Sequence, residues 1–252
     1  MVGRGILPVY ALLTAGILAG CAGSVTSPVT SGPATRELPR DATHPVMYVA
    51  LGDSTVHGVG ATSPVTSYVS RVGERLRSVY SAARLVNLGA NGATAAEVVS
   101  SQLPRLVALR PDLVTLSVGP NDITRKRTAP QYERDIETIL RTLSNRTRAV
   151  VVVNLIPDLT VTPRFKGHAE EAAVGQMVVR LNEVLLRQAG AHGVEVVDLY
   201  APSRREVPRH PELISADGYH PSDYGYSRWA ALMWQGIEAR IPRATLPRGP
   251  AS

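Results

Sequence analysis

The sequence predicts an α/β fold: an open, parallel, five-stranded sheet with helices on both faces. Short β-prone runs alternate with stretches whose apolar residues recur at helical spacing, from residue 46 to residue 241. One of these runs, residues 149–156, is almost entirely apolar, which is typical of a central parallel strand covered on both faces. These observations favour layers of helix, sheet and helix, and a stretch of about 195 residues fits one domain.

The elements follow one another in a regular order. The first strand ends at Gly52, and the helix after it has Val69, Val72 and Leu76 on one face. The next helix is expected to bend or break near Pro104, because proline lacks the N–H that a helix interior needs. The predicted strands are residues 46–51, 84–88, 112–118, 149–156 and 194–197, and the predicted helices are residues 67–80, 94–109, 130–143, 170–189 and 222–241.

Residues 1–20 are expected to be a secretory signal rather than part of the fold. They carry one charge, Arg4, and an apolar run over residues 6–19. That run is too short to cross a hydrocarbon core of ~30 Å at about 1.5 Å per residue, but it suits the apolar region of a signal peptide. It leads through Leu-Ala-Gly to Cys21, which is the only cysteine of the chain.

This segment resembles the lipobox of bacterial lipoproteins, in which the cysteine carries diacylglycerol and becomes the mature N-terminus. The resemblance implies lipid attachment at Cys21, export across the cytoplasmic membrane and anchoring at the bacterial cell envelope. An ordinary signal peptide with an incidental cysteine is the alternative. Residues 21–45, rich in Ser, Thr, Pro and Gly, are predicted to be a flexible tether, and residues 243–252 a disordered tail.

Composition and charge exclude several classes of protein. A single cysteine excludes an intrachain disulfide and a Cys-based zinc module. The formal net charge is +6, and it becomes +5 when removal of residues 1–20 takes away Arg4 alone. The basic residues are scattered and almost all arginine, with the densest cluster at residues 125–127, so no stripe for nucleic-acid phosphates is evident. We therefore expect no nucleic-acid partner.

Polar and glycine residues follow the predicted strands, which is where the sites of open parallel sheets lie. Gly-Asp-Ser at residues 52–54 follows the first strand, residues 87–92 follow the second, and Gly-Pro-Asn-Asp at residues 119–122 follows the third. Asp-Gly-Tyr-His at residues 217–220 precedes the last helix. Because the carboxyl ends of parallel strands meet at one edge of the sheet, we expect these residues to converge.

Each of these residue types has a chemical reason to be there. The hydroxyl of Ser54 is a poor nucleophile until a base removes its proton, and histidine, here His220, is the side chain that suits this task near neutral pH. Asp217, three residues earlier, is placed to orient the second ring nitrogen. A developing oxyanion needs donors, which a tight glycine turn and the Asn121 amide supply.

Other residues offer rival interpretations. His57 lies three residues after Ser54 and is a rival base, and Asp198, at the end of the fifth strand, is a rival acid or a simple cap. Asp53 is expected to bond its own turn rather than to transfer protons. Residues 58–60, Gly-Val-Gly, lack the third glycine of a dinucleotide fingerprint, and no Gly-x-Ser-x-Gly elbow occurs. No His and carboxylate cluster has metal-ligand spacing, and the chemistry needs no metal or cofactor.

Residues 46–240 resemble the SGNH (GDSL-type) hydrolase family of serine esterases, with four motif blocks in the family's order. The resemblance implies a flavodoxin-like, three-layer αβα sandwich, which agrees with the alternation of strands and helices. It implies that Ser54 is the nucleophile and that Asp217 and His220 complete a catalytic triad.

The resemblance also implies an oxyanion hole, in which the backbone N–H of the nucleophile is joined by two further donors. One is the backbone N–H of Gly92, which matches the family block better than Gly89, and the other is the Asn121 amide. Two departures are mild. Thr55 stands where the motif's name has leucine, and Pro120 replaces a common glycine, which leaves Asn121 in place and stiffens its loop.

We therefore expect a serine ester hydrolase that acts through an acyl-enzyme on an acyl ester, either a lipid or an acylated glycan, at the cell envelope. Residues 157–170 and 201–216 are the candidate pocket segments. The basic residues near the site would suit an anionic substrate, unless they are surface arginines without a role: residues 125–127, Arg164, Lys166, Arg204, Arg205 and Arg209. Two alternatives remain open, a lipid-anchored binding protein without turnover and an O-acyltransferase on envelope glycans.

Overall fold

The computed structural model describes residues 36–246, in which five strands form one sheet in the order β2-β1-β3-β4-β5. The expected signal, Cys21 and the expected tether before residue 36 lie outside the described residues. The strands are β1 Met47–Gly52, β2 Arg84–Asn87, β3 Leu113–Ser117, β4 Val150–Asn154 and β5 Glu195–Val197. The helices are α1 Ser54–His57, α2 Tyr68–Val79, α3 Ala95–Glu97, α4 Leu103–Leu109, α5 Pro120–Thr124, α6 Ala129–Arg146, α7 Glu171–His192, α8 Tyr200–Glu206 and α9 Asp223–Glu238.

The predicted fold class is confirmed, because every pair of neighbouring strands is parallel. Strand β1 lies between β2 and β3, so the order of the strands reverses there. In open α/β sheets this reversal leaves a crevice at the carboxyl ends of the strands. Val49 pairs with Val86 on one side and Val114 on the other, and this register brings Gly52 opposite Ser117 at that edge.

The core lies on both faces of the sheet, as the apolar strands predict. All five residues of β3 and of β4 are buried. One face packs against α2 and α9 through side chains such as Leu76 and Met233. The other packs against α4, α6 and α7 through side chains such as Leu106, Ile136 and Leu181. This double cover holds the carboxyl edge of the sheet rigid and leaves its loops free to form a site.

The structure differs from the predicted elements in the helix that was expected to break near Pro104. The chain forms a π-helical turn at Val98–Gln102 between α3 and α4, and Pro104 is the second residue of α4. The sequence did not predict α1, α5 or α8. These helices have four, five and seven residues, which is too short for an apolar period to show.

The packed domain begins before residue 46, which the sequence analysis predicted as its first residue after a tether of residues 21–45. Arg36 donates hydrogen bonds to the carbonyls of Ser144, Thr147 and Ala149 at the end of α6, at 2.7 to 3.2 Å. Leu38 is buried in the α2–α9 side of the core. These contacts move the predicted boundary of the domain from residue 46 to residue 36 or earlier. Nothing in the sequence indicates them, because this stretch has no apolar periodicity.

The expected tail also starts later than residue 243. Thr245 is buried, and its hydroxyl donates to the carbonyl of Arg40, so the two ends of the described chain contact each other. Between residues 36 and 246, no helix is both long and apolar enough to cross a membrane.

Candidate active site

A continuous chain of hydrogen bonds joins three of the residues that the sequence analysis singled out. The Oγ of Ser54 lies 2.9 Å from Nε2 of His220, and Nδ1 of His220 lies 2.6 Å from Oδ2 of Asp217. Ser54 is the first residue of α1, directly after β1, whereas the other two lie in the loop before α9. The fold thus brings together groups that are 166 positions apart in the chain.

The Asp217 carboxylate is built to stay charged. Its Oδ1 accepts hydrogen bonds from the backbone N–H groups of Tyr219 and His220 and from the hydroxyl of Ser215, and its Oδ2 faces the His220 ring. Partial burial would raise its pKa, but these hydrogen bonds, that of the His220 side chain foremost, outweigh it and lower the pKa to about 2. Asp217 is therefore ionised across the physiological range and holds a proton on Nδ1 of the ring.

The position of Ser54 depends on a close backbone approach. Gly52 has a φ of 143°, and a Cβ there would lie 1.9 Å from the carbonyl oxygen of Ser117. Only glycine fits this contact between β1 and β3. The next residue, Asp53, accepts hydrogen bonds from the N–H and hydroxyl of Thr55 and so caps α1. The first turn of α1 then presents the Ser54 hydroxyl to His220.

Asp53 bonds its own turn, as the sequence analysis expected, and it is fully buried. Burial raises its pKa to about 6, although the bonds from Thr55 act in the opposite direction. Its Oδ2 has no hydrogen-bond partner among residues 36–246. Asp53 therefore supports the turn at an electrostatic cost, and it does not contact the reacting atoms.

Asn121 and Gly92 are brought together by a hydrogen bond from Nδ2 of Asn121 to the carbonyl of Ala93, at 3.0 Å. Gly92 has a φ of 77°, which favours glycine, and its carbonyl accepts a bond from Arg125. Gly89 has another role: a Cβ there would lie 2.6 Å from the Val56 side chain, so Gly89 allows α1 to pack closely. Gly89 thus has a packing role, and the assignment of Gly92 as an oxyanion donor stays a prediction.

The sequence analysis missed Gln102, which holds the nucleophile's turn from behind. It is 2% exposed, and its side-chain amide bonds both backbone polar groups of Gly52. It lies at the end of the π-helical turn, four residues after Val98 and four before Leu106, which are both buried. A glutamine within the apolar stripe of a predicted helix was the signal that could have identified it.

An apolar cavity of about 100 Å³ opens at Ser54 and His220. Both segments that the sequence analysis put forward contribute to its wall, residues 157–170 through Pro157 to Thr162 and residues 201–216 through α8 and Ile214. Gly92 and Asn121 do not line it. The apolar lining side chains include Leu159, Leu199, Val207, Ile214, Trp229 and Leu232. The cavity therefore suits a hydrocarbon group attached to the reacting carbonyl.

Two of the arginines near the site, Arg125 and Arg127, are bonded within the protein. Arg127 pairs with Asp122 and Asp135, and Arg125 pairs with Glu97 in addition to its bond to the Gly92 turn. These acidic partners neutralise Arg125 and Arg127, which weakens the argument for an anionic substrate at this cluster.

Arg164 serves the triad in another way. Its guanidinium lies 5.2 Å from the ring centre of Tyr219 and 5.3 Å from that of Phe165. Tyr219 in turn packs edge-on against the His220 ring, at 4.9 Å between ring centres. Tyr219 thus supports the imidazole from the side and also lines the cavity, whereas Arg164 packs on Tyr219 and does not line it.

The rival residues are placed away from the serine's hydrogen bond. His57 is exposed at the end of α1 and makes no side-chain hydrogen bond within the described part of the chain. Asp198 accepts a bond from the N–H of Ala201 and so acts as a cap. Gly60 packs against the histidine loop, since a Cβ there would lie 2.5 Å from the carbonyl of Pro221. In the stretch 36–246 no three His, Cys, Asp or Glu side chains form a group that could hold a metal ion.

Comparison with known proteins finds the same fold in several solved structures. Solved structures with the same fold include a lipase/acylhydrolase from Enterococcus faecalis (23% identity, TM-score 0.63, 77% of this chain and 96% of the other). Another is an acetylxylan esterase from Geobacillus stearothermophilus (19% identity, TM-score 0.60, 76% of this chain and 94% of the other). A third is a member of the lipolytic G-D-S-L family from Veillonella parvula (18% identity, TM-score 0.61, 77% of this chain and 99% of the other). A search of curated protein sequences found no match.

At these identities the structural likeness shows the fold. Membership of a family rests on sequence, since residues 50–228 match the GDSL-like lipase/acylhydrolase family. The chain belongs to that family, and it is accordingly a carboxylic ester hydrolase.

Proposed function

We propose that the protein hydrolyses short- to medium-chain acyl esters through an acyl-enzyme formed on Ser54, and that it does so while anchored at the cell envelope. The observation that carries the first part is the hydrogen-bonded chain Ser54–His220–Asp217 at the mouth of an apolar cavity. A nucleophile, a base and an orienting carboxylate in this order activate a serine for acyl transfer.

In the first half of the reaction Nε2 of His220 takes the proton of the Ser54 hydroxyl as Oγ attacks the ester carbonyl. The tetrahedral oxyanion accepts hydrogen bonds from the backbone N–H groups of Ser54 and Gly92 and from the Asn121 amide. Asp217 stabilises the imidazolium that forms. The imidazolium then gives its proton to the leaving alcohol, the ester C–O bond breaks, and the acyl group remains on Ser54.

In the second half water replaces the alcohol. His220 takes a proton from the water as its oxygen attacks the acyl-enzyme, and the proton then passes to Oγ of Ser54 as the acid leaves. Each turnover consumes one ester and one water and releases one alcohol and one acid, so no metal, cofactor or redox partner enters the balance.

The cavity indicates the acyl group. Its apolar lining favours hydrocarbon, and its volume of about 100 Å³ is below the roughly 150 Å³ that holds a benzene molecule in an engineered protein cavity. An acyl chain of a few carbons therefore fills it, and an acetyl group leaves much of it empty.

The proposal of an envelope location rests on the sequence alone. Residues 1–20 have the length and composition of an export signal, and Cys21, the only cysteine, stands where a lipobox requires it. A lipid-anchored enzyme would meet acylated lipids or acylated glycans there. Metabolic labelling with an alkyne fatty acid in a bacterial host tests the anchor: the wild-type protein should carry the label and Cys21→Ser should not.

Labelling with a fluorophosphonate probe tests the chemistry. The wild-type protein should be labelled covalently, and Ser54→Ala should not, whereas Ser78→Ala, an exposed serine of α2, should label like the wild type. His220→Ala should lose labelling and His57→Ala should keep it. A folded wild-type protein that is not labelled contradicts the proposal and supports a binding protein that lacks turnover.

A further inference from the structure

We propose that the Glu206–Arg228 ion pair closes the far end of the acyl cavity and sets the longest acyl chain that the enzyme accepts. This inference rests on the proposed function, since it assigns the cavity to the acyl group of an ester. Glu206 is the last residue of α8 and Arg228 lies in α9, and the two helices flank the cavity. The pair would therefore act on specificity without touching the reacting atoms.

The geometry places the pair between two spaces. Glu206, Leu213 and Arg228 line the cavity that opens at Ser54. The same three residues line a second, open groove on the outside, together with exposed residues such as Tyr224, which is 72% exposed. The wall between the inner cavity and the outer groove is thus formed by residues shared by both.

Leu213 is fixed in the wall by its backbone, whereas Glu206 and Arg228 reach the wall with their side chains. The backbone of Leu213 is held by α9: its carbonyl accepts a bond from the N–H of Ser222, and a Cβ on Gly225 would lie 2.2 Å from it. Glu206 and Arg228 are long side chains that are joined by two hydrogen bonds, at 2.7 and 2.8 Å. Opening the wall therefore requires a change of side-chain rotamers and no movement of the backbone.

The Glu206–Arg228 pair is strong enough to close the end of the cavity and weak enough to be opened. Its bidentate geometry is the strong form of an arginine–carboxylate contact, and the hydrogen bonds from Arg228 lower the pKa of Glu206. The side chains are still 26% and 44% exposed, so water screens the attraction, and such pairs are weak enough to open. In its closed form the pair presents charge to the end of a hydrocarbon chain, which opposes further entry.

This arrangement predicts a limit on acyl length. Each additional methylene that finds an apolar contact multiplies kcat/KM by about four, until the chain reaches the pair. Beyond that point the wild-type value should fall. Removing the pair joins the cavity to the outer groove and lets longer chains continue into it.

The experiment compares kcat/KM for decanoyl and butyryl p-nitrophenyl esters, below their aggregation limits. In Glu206→Ala/Arg228→Ala the decanoyl-to-butyryl ratio should rise at least tenfold over the wild type. Arg228→Glu, which sets two carboxylates against each other, should raise it as well. The charge-swapped Glu206→Arg/Arg228→Glu should return the ratio towards the wild-type value, because it restores the attraction.

A second ion pair serves as the control for this experiment. The ion pair of Glu133 and Arg187, at 3.0 Å on the surface of α6 and α7, lies outside the cavity, and its double alanine variant should leave the ratio unchanged. Variants that fold and label with fluorophosphonate but keep the wild-type ratio overturn the gate while leaving the esterase proposal intact. A wild-type protein that is not labelled overturns the esterase proposal and the gate with it.

Discussion

The side-chain amide of Gln102 bonds both backbone polar groups of Gly52, two residues before the nucleophile. The N–H of Gly52 donates to Oε1 at 2.9 Å, and Nε2 donates to the Gly52 carbonyl at 2.8 Å. Asn182 holds the backbone of Ile156 in the same way, at 2.7 and 2.9 Å, at the start of the segment that lines the cavity. The fold thus has two buried amide clamps, one behind the nucleophile and one behind the pocket.

We predict that Gln102→Ala lowers kcat about a hundredfold, since a displacement of the nucleophile by about 1 Å has an effect of that order. Asn182→Ala is the matched control, because it removes an equivalent clamp and should raise KM more than it lowers kcat. Gln102→Glu keeps the acceptor for the Gly52 N–H and should recover part of kcat. Steady-state kinetics measures kcat and KM of each variant, and urea unfolding measures its stability. If Gln102→Ala and Asn182→Ala lowered kcat by the same factor, Gln102 would have no special role in positioning Ser54 and would only stabilise the fold.

For Asn121→Ala we expect kcat to fall by roughly 10² to 10³, the scale of one oxyanion donor. Asn121→Asp keeps the size of the side chain but removes the amide donor, so it should lose a similar factor. Turnover of a p-nitrophenyl ester measures both, with the exposed Asn145→Ala as the control. Undiminished turnover in Asn121→Ala would exclude the oxyanion role.

Asp53 should make the protein less stable as the pH rises from about 4 to 6. The unfolded carboxyl loses its proton near pH 4, but burial raises the pKa of the folded one to about 6, so in this window the folded state binds more protons. The free energy of unfolding should therefore fall by up to roughly 3 kcal/mol over this window. Asp217, whose lowered pKa is about 2, contributes stability that is lost only at more acidic pH.

Asp53→Asn should remove that part of the pH dependence. Urea unfolding at pH 4, 5, 6 and 7 measures it. The slope should not vanish, because burial also raises the pKa of Asp122 to about 6. Asp198→Asn, at an exposed cap, should keep the wild-type slope. An Asp53→Asn protein with the full wild-type slope would contradict the assignment.

The N-terminal segment should contribute measurable stability. A protein that starts at residue 36 keeps the burial of Leu38, worth about 1.5 to 3 kcal/mol, and the three bonds of Arg36, each worth about 1 kcal/mol. A protein that starts at residue 46 loses both, and its Tm should be lower by roughly 10 °C. Thermal unfolding followed by circular dichroism compares the two. Equal Tm values would restore the boundary at residue 46.

Much of the fold and of the site could be predicted from the sequence because the signals are local. The five strands have apolar runs, the long helices have apolar faces, and Ser54, Asn121 and His220 each stand within a few residues of an element's end. An irregularity was expected near Pro104, and the structure has one a few residues earlier, as a π-helical turn at Val98–Gln102. A strand end and a tight turn are properties of consecutive residues, so they can be read along the chain.

The sequence by itself determined the order of the elements, the parallel sheet and the chemical groups at its carboxyl edge. Only the tertiary structure decided the packing of residues 36–45, the amide clamp of Gln102, the internal partners of the arginines and the Glu206–Arg228 wall of the cavity. The reason is physical. Most of these are contacts between segments far apart in the chain, such as the 50 positions from Gly52 to Gln102. The energy of such a contact depends on how the two segments pack in space, so the residues next to each other in the sequence give no sign of it.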